Sequence, residues 1–355
     1  MSRTETPPPD PVGTTPDATG ATSGASGTKP RGPSVFDVAK AAGVSHQTVS
    51  RVLNDHPSLR PATRQKVLDA MRELGYRPNL AARALVTSRS RIIGILSTAH
   101  GEYGPASSIA AVEAAARARG YSVSIATADG FDPASVNEAL EHLLALSVEG
   151  LVVVAPQTPV LATLERLPIG VPFVTLQTLS TLDGSTVALD QHHGARLATA
   201  HLADLGHTAI AHLAGPADWI DAESRDSGFR AELASRGLRA AAVEAGDWSA
   251  DSGYEAARAL LRPGVTAVFS ANDQMALGLL HAAAECGLAV PDDLSVVGFD
   301  DTPEARHYRP GLTTVRQNFA EAGRRALARL LGQAEAPPSV EPALVLRGSS
   351  APPPH

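Results

Sequence analysis

Between Val35 and Leu85 the apolar positions recur at three- and four-residue steps, the period of a helix. Val35, Phe36, Val38, Ala39 and Ala42 predict a first helix, and Gly43 stops it where a tight turn needs positive φ. Ser45 can cap a second helix by accepting a main-chain N–H. That helix has two faces: Val49, Val52 and Leu53 are apolar, while Gln47, Ser50, Arg51 and Asn54 stand at i, i+3, i+4 and i+7 on the other. A third helix has Pro61 in its first turn, Val67, Leu68, Met71 and Leu74 facing inward, and Gly75 after its end. Helix, glycine turn, then a helix with long hydrogen-bonding side chains on its free face is the layout of a helix-turn-helix DNA reader.

After Arg91 the period changes. RIIGIL, YSVSIAT, GLVVVAP, PFVTLQ, TVALD, TAIAHLAGP, AAVEAGDW, TAVFSAND and LSVVGFDD read as strands, most of them separated by amphipathic helices. Near-continuous β-branched runs between helices mean parallel strands covered on both faces, and so many strands imply two sheets. PALVLRG reads as a last strand. Polar residues follow several strand ends, where open α/β sheets bind ligands: Trp248, Asn272 with Asp273, Asp300 with Asp301, and Arg225 at the start of a helix. Carboxylates, an amide, an arginine fork and an aromatic face are the mixture a sugar requires.

The 355 residues suit two or three domains, and 43% apolar content is ordinary for a globular chain. The net charge of −7 conceals a split. Arg31 to Arg91 holds 11 basic and 4 acidic residues, whereas the remainder is acidic, so a basic module sits on a body that repels DNA. The single cysteine, Cys286, excludes an internal disulfide, fits a reducing cytoplasm, and in its alanine-rich helix is expected to be buried. No apolar run reaches membrane-span length, and the first 30 residues, rich in Pro, Thr, Gly, Ser and Ala, lack the apolar core of a secretory signal. No phosphate-cradling glycine motif, metal-ligand set or nucleophile–base arrangement stands out, so neither cofactor, metal nor enzymatic activity is expected. His192 and His193 beside Asp190 read as a solvated helix start.

DVAKAAGVSHQTVSRVLN followed by YRPNLAARAL resembles the headpiece and hinge of the LacI/GalR family, and GDWSA, ANDQMALG, LSVVGFDDT and LTTVRQNF extend the resemblance to Leu346. The resemblance implies an α/β protein: an all-α helix-turn-helix headpiece plus a periplasmic-binding-protein-like core of two Rossmann-like parallel-sheet subdomains, between which the chain crosses three times. The expected boundaries are a disordered tail (1–32), the headpiece (33–78), a hinge (79–90) and the core (91–347). Within the core, one subdomain takes 91–189 and 319–338, the other 190–317 and 340–347, and 348–355 is a second disordered tail. The implied activity is a cytoplasmic DNA-binding repressor released from a pseudo-palindromic operator by a small sugar. His46, Gln47 and Arg51 would read base edges, and Ser45, Thr48, Ser50 and Asn54 would hold phosphates. Asn79 would cap a short hinge helix whose Leu85 wedges into the minor groove.

Carried over in the same way, Arg225, Asn272 and Asp300 would hold sugar hydroxyls, Trp248 would pack on the ring, and Phe319 would line the pocket, with Gln317 in the same crossover. This sequence departs from the pattern at Gln177, where an aspartate is expected, and at Asp221, Glu102 and Leu189. A glycan such as a galactoside survives those changes, because Gln both donates and accepts; its identity does not. Subdomain packing for Trp248 and helix capping for Asp300 are the competing structural roles. No leucine heptads follow Leu346, so a homodimer is expected. A purine-responsive regulator of the same fold and a sugar-transport binding protein are the alternatives.

Overall fold

The computed structural model describes residues 32–53, 58–77, 89–98, 101–164, 166–167, 169–176, 186–333, 337 and 339–354. Asn54, Asn79, Leu85 and Gln177, with most of the expected hinge and N-terminal tail, lie outside the described residues. The chain forms two compact units, 1–79 and 80–355.

The first unit holds α1 (Val35–Ala42), α2 (His46–Leu53) and α3 (Pro61–Glu73). Ser34 and Asp37 form a reciprocal capping box, and Gly43 at φ +65° ends α1. Ser45 Oγ accepts the Thr48 N–H at 3.2 Å, which caps α2 as the sequence predicts. Val38, Ala39, Val49, Val52, Val67 and Ala70 make one small core. Leu68 and Leu74 depart from the predicted inward set, each more than a third exposed, and Phe36 of the first helix is 68% exposed. Three short helices enclose too little volume to bury every apolar residue.

The second unit contains two six-stranded sheets. The first comprises β1 (Ile92–Ser97), β2 (Ser122–Thr127), β3 (Gly150–Val154), β4 (Phe173–Leu176), β5 (Thr186–Leu189) and β11 (Ser339–Val340), in the order β11-β5-β4-β3-β1-β2. Its helices are α4 (Tyr103–Ala118), α5 (Pro133–Ala145), α6 (Thr158–Leu164) and α11 (Phe319–Leu330). Alternation along the strands sends Ile93, Ile95, Val152 and Val154 to a core under α4 and α11, while Leu96, Leu151 and Val153 meet α5 on the other face. The second sheet comprises β6 (Ile210–Ala214), β7 (Val243–Ala245), β8 (Ala267–Ser270), β9 (Ser295–Asp300), β10 (Thr313–Arg316) and β12 (Ala343–Val345), in the order β12-β10-β9-β8-β6-β7. Around it pack α7 (Gln191–Asp204), α8 (Ile220–Ser235), α9 (Ala250–Leu260) and α10 (Asp273–Glu285). The chain passes between the sheets after β5, after β10 and after β11, the three crossings expected.

Four expectations are corrected. Val340 pairs with Leu189, so the β11 strand belongs wholly to the first sheet. Arg225 does not begin its helix, which starts five residues earlier at Ile220. Cys286 is exposed, because it stands at the C-cap of α10 where Gly287 turns the chain away. Residues 348–354 do not form a disordered tail: Ser349 is fully buried, its hydroxyl donates to Val296 O at 2.6 Å, and Val296 N–H donates back to Ser349 O at 2.7 Å. His207 and Ser295 both hydrogen-bond Ala351 O, at 2.8 and 2.9 Å. Small hydroxylated residues that read as disordered thus satisfy the start of β9, where β10 has not yet begun to pair.

Helices α9 and α10 approach at glycines. A Cβ on Gly278 would fall 1.8 Å from Ala250 O, and one on Gly253 would fall 2.2 Å from Met275 O. Gly278→Ala should therefore lower stability by about 1–3 kcal/mol despite alanine's better helix propensity, measured as a fall in the urea midpoint.

Candidate functional site

In the first unit, α2 presents His46, Gln47 and Arg51 exposed, with Ser50 half-buried on the same helix. Thr48 is tied to Ser45, hydroxyl to hydroxyl, at 3.0 Å. The His46 ring leans on Phe36, centroids 5.4 Å apart, which gives the exposed Phe36 a use that apolar periodicity did not reveal. The opposite face of α2 is locked into the core by Val49 and Val52, so the free face is presented on a fixed support.

In the second unit, a narrow cavity of about 20 Å³ opens between the two sheets' strand ends. Val154, Pro156, Leu176, Leu189 and Phe319 supply an apolar wall, and Gln191, Asp221 and Gln317 line it with polar groups. Behind Gln191 and Gln317 runs a closed polar circuit. Arg225 Nε donates to Gln191 Oε1 at 2.9 Å, and Gln191 Nε2 donates to Gln317 Oε1 at 2.8 Å. Gln317 Nε2 donates to Asp300 Oδ1 at 2.6 Å, and Asp300 returns to Arg225 Nη2 at 3.5 Å. All four side chains are at most 7% exposed. Arg225 also donates to Ala271 O, and its guanidinium lies 4.0 Å over the Phe299 ring and 5.4 Å from that of Trp248.

Arg225 projects from inside α8, Gln191 opens α7, and Asp300 and Gln317 stand at strand ends. Asp300 ends β9 at φ +108°, Asp301 follows at +54°, and Trp248 stands at +77°, three left-handed residues that L side chains rarely adopt. Asn272, the N-cap of α10, accepts Met275 N–H at 2.8 Å and donates to Trp248 O at 2.9 Å. Asp301 is pinned by Arg316 at 2.6 Å and by Arg347. Thr302 N–H donates to Asp273 Oδ2 at 2.8 Å, and Thr314 Oγ1 donates to Asp273 Oδ1 at 2.6 Å. The Trp248 ring fits because Gly215 has no side chain; a Cβ there would lie 2.2 Å from Cη2. Trp248 Nε1 is buried without a hydrogen-bond partner among the described residues.

Asp300 does not cap a helix, so that competing role is excluded, while Asn272 does cap one. Of the sugar-site residues expected, Asp221 and Phe319 line the cavity directly; Arg225, Trp248, Asn272 and Asp300 form the connected layer beside it. Leu189 lines the wall, and Glu102 precedes α4, whose Gly104 and Pro105 reach the cavity. Sequence reasoning missed Gln191, Trp219 and Tyr103. Trp219 packs edge-on to Trp248 at 5.5 Å, and Tyr103 packs edge-on to Phe319 at 6.0 Å. Trp219 was open to discovery as one of only two tryptophans in the chain. Nothing local marks Gln191, which meets Gln317 only through the fold.

Burial pushes the Asp300 carboxyl up to about 6, against the opposing pull of Arg225 and Gln317. Burial, then the neighbouring Asp300, pushes Asp273 up to about 7, opposed by its two threonine bonds.

Two family models match the chain: bacterial regulatory proteins of the lacI family over residues 34–79, and a periplasmic binding protein-like domain over 199–350. The lactose operon repressor of Escherichia coli K12 is 37% identical over 300 residues, 84% of this chain and 83% of its own length. The ribose operon repressor of the same strain is 35% identical over 330 residues, 88% of this chain and 98% of its own. A crystal structure of the lac repressor dimer bound to operator and the anti-inducer ONPF is similar at TM-score 0.79 and 35% identity, covering 90% of this chain and 100% of that one.

Both raised carboxyls hold protons more tightly when folded than when unfolded. The stability they contribute is complete below their ordinary value of 3.8 and is lost as pH rises through about 6 and 7. Urea midpoints should therefore fall between pH 5 and pH 8, and Asp273→Asn, which cannot ionise, should flatten that slope.

Proposed function

Because the chain belongs to the LacI family of bacterial regulatory proteins, a transcriptional repressor and not an enzyme, we propose that its hold on DNA is set by a small neutral sugar bound in the cavity between the two sheets. The observation that carries this reading is the buried Arg225–Asp300 pair beside Trp248. A carboxylate accepts from adjacent hydroxyls, a guanidinium donates to them, and an indole covers the C–H face of a pyranose. The Gln191 and Gln317 amides occupy hydrogen-bonding positions that sugar hydroxyls would take, and the apolar wall of Leu176, Leu189 and Phe319 suits a ring edge or an aglycone. With Asp221 in the lining and Asp300 behind it, phosphorylated and carboxylated ligands are disfavoured.

On the DNA side, Gln47 pairs with adenine and Arg51 with guanine in the major groove, beside His46. Ser45, Thr48 and Ser50 hold phosphates. Asn54 extends that phosphate set, and Asn79 and Leu85 supply the hinge cap and the minor-groove wedge. Gln177 completes the sugar site. A homodimer places two such helices on the halves of a pseudo-palindromic operator in the cytoplasm. The lac repressor, solved as an operator-bound dimer, is the parallel. The sugar acts by binding one arrangement of the two subdomains better than the other, and release from DNA follows from that difference alone.

Calorimetric titration of the full chain with galactosides, glucosides, pentosides and purines tests the effector. Saturable binding of one sugar, abolished in Asp300→Asn, is expected; binding of a purine alone would replace the sugar with a corepressor on the same fold. On the DNA side, Arg51→Ala should cost about 1–3 kcal/mol of specific operator affinity while sparing nonspecific binding. Equal loss on both in a salt-controlled gel-shift series would place Arg51 on the DNA backbone instead.

A further inference from the structure

Besides the three crossings, main chain joins the two subdomains where the loop after β3 meets the loop before α8. Gln157 and Trp219 stand opposite each other there as an antiparallel bridge. Ile220 N–H donates to Pro156 O at 2.9 Å, Thr158 N–H donates to Asp218 O at 3.1 Å, and the Thr158 hydroxyl donates to the same carbonyl at 3.4 Å.

Each side of the bridge is firmly rooted in its own subdomain. Gln157, 4% exposed, donates through Nε2 to Thr98 O at 3.1 Å and accepts the Thr98 hydroxyl at Oε1. A Cβ on Gly130 would lie 2.8 Å from that same Oε1, so glycine is what admits the amide. Trp219, 8% exposed, is the N-cap residue of α8 and packs edge-on to Trp248, interplanar angle 64°. Pro156 and Asp221, flanking the bridge, both line the cavity. Two backbone bonds between two well-anchored loops form a contact that can open without unfolding either subdomain.

We propose that this bridge is a latch between the two subdomains at the rim of the cavity, and that Trp219 is a positioning residue that ties the latch to Trp248. Any rotation of one sheet against the other breaks or shears both bonds, because neither loop can follow. Trp219 stands in the latch and carries the packing edge against which Trp248 is set, so opening the latch uncovers that edge to solvent. The role assigned to Trp248 rests on the sugar-site reading; the latch does not.

Both donors stand at the first residue of a helix, Thr158 in α6 and Ile220 in α8, where proline is tolerated and the N–H has no partner within the helix. Trp219 is already extended, at φ −104° and ψ 122°, as a residue before proline must be. Ile220→Pro therefore deletes one latch bond, and Thr158→Pro deletes the main-chain and hydroxyl bonds to Asp218 O, while each helix is retained. The measurements are hydrogen exchange by mass spectrometry and acrylamide quenching on the ligand-free full chain, whose two tryptophans both report on this corner. In Ile220→Pro, exchange at the Thr158 amide across the latch should accelerate roughly fivefold or more, and Thr158→Pro should do the same to the Ile220 amide. Tryptophan quenching should rise in both variants. Trp219→Phe should leave exchange at the two amides unchanged while raising quenching of Trp248. Strand β3 should stay protected throughout; if Ile220→Pro also deprotects β3, Thr158→Pro decides. Wild-type exchange at the remaining latch amide in a folded proline variant would overturn the proposal. Neither readout involves a sugar, so failure to find the effector leaves this test standing.

Discussion

A guanidinium held out of water governs the centre of this protein. Arg225 is 4% exposed, and removing one partner from a buried pair typically costs about 3–5 kcal/mol, so everything around it is arranged to satisfy it. Phe299 lies beneath it, Ala271 O and Gln191 accept its N–H groups, and Asp300 faces it. These partners come from β8, α7 and β9 and from the β10–α11 crossover through Gln317, so the charge ties together the elements that form the polar side of the cavity. Any group that displaces a glutamine amide from the circuit must match its geometry or leave the charge under-satisfied.

The polar circuit also explains why strain concentrates here. Trp248, Asp300 and Asp301 adopt left-handed backbone that costs on the order of 1–3 kcal/mol each. Asn272, Asp273, Arg316 and Arg347 hold these residues through bonds to the Trp248 main-chain carbonyl, the Thr302 N–H and the Asp301 carboxylate. The DNA-facing unit is built differently. Its free face stands on a small core, with no comparable network among the described residues.

Most of the fold was legible because each sheet is covered on both faces, which leaves dense apolar runs such as IIGIL and GLVVV in the sequence. Strand β10 was hidden because two of its four residues are threonines, buried for hydrogen bonding rather than for apolar contact. The residues at 348–354 were misread for the same reason: serine and proline look like linker until the Ser349 hydroxyl is seen accepting from Thr313 N–H and donating to Val296 O. In the site, residues beside strand ends were recoverable, since the ends of parallel strands are where ligands collect. Gln191 and Trp219 were not, because the contacts that give them meaning arise from the crossover and from the bridge between loops.

The last segment has a consequence for how the protein is made. The second sheet is begun at β6, interrupted while α11 and β11 complete the first, and finished only when β12 and Ser349 return to β10 and β9. Neither subdomain is a contiguous stretch of chain. During synthesis the first sheet lacks α11 and β11, and the second lacks its edge, until residues 319–345 have left the ribosome. The two lobes therefore mature together, and a translation product that stops before Phe319 lacks part of the cavity wall.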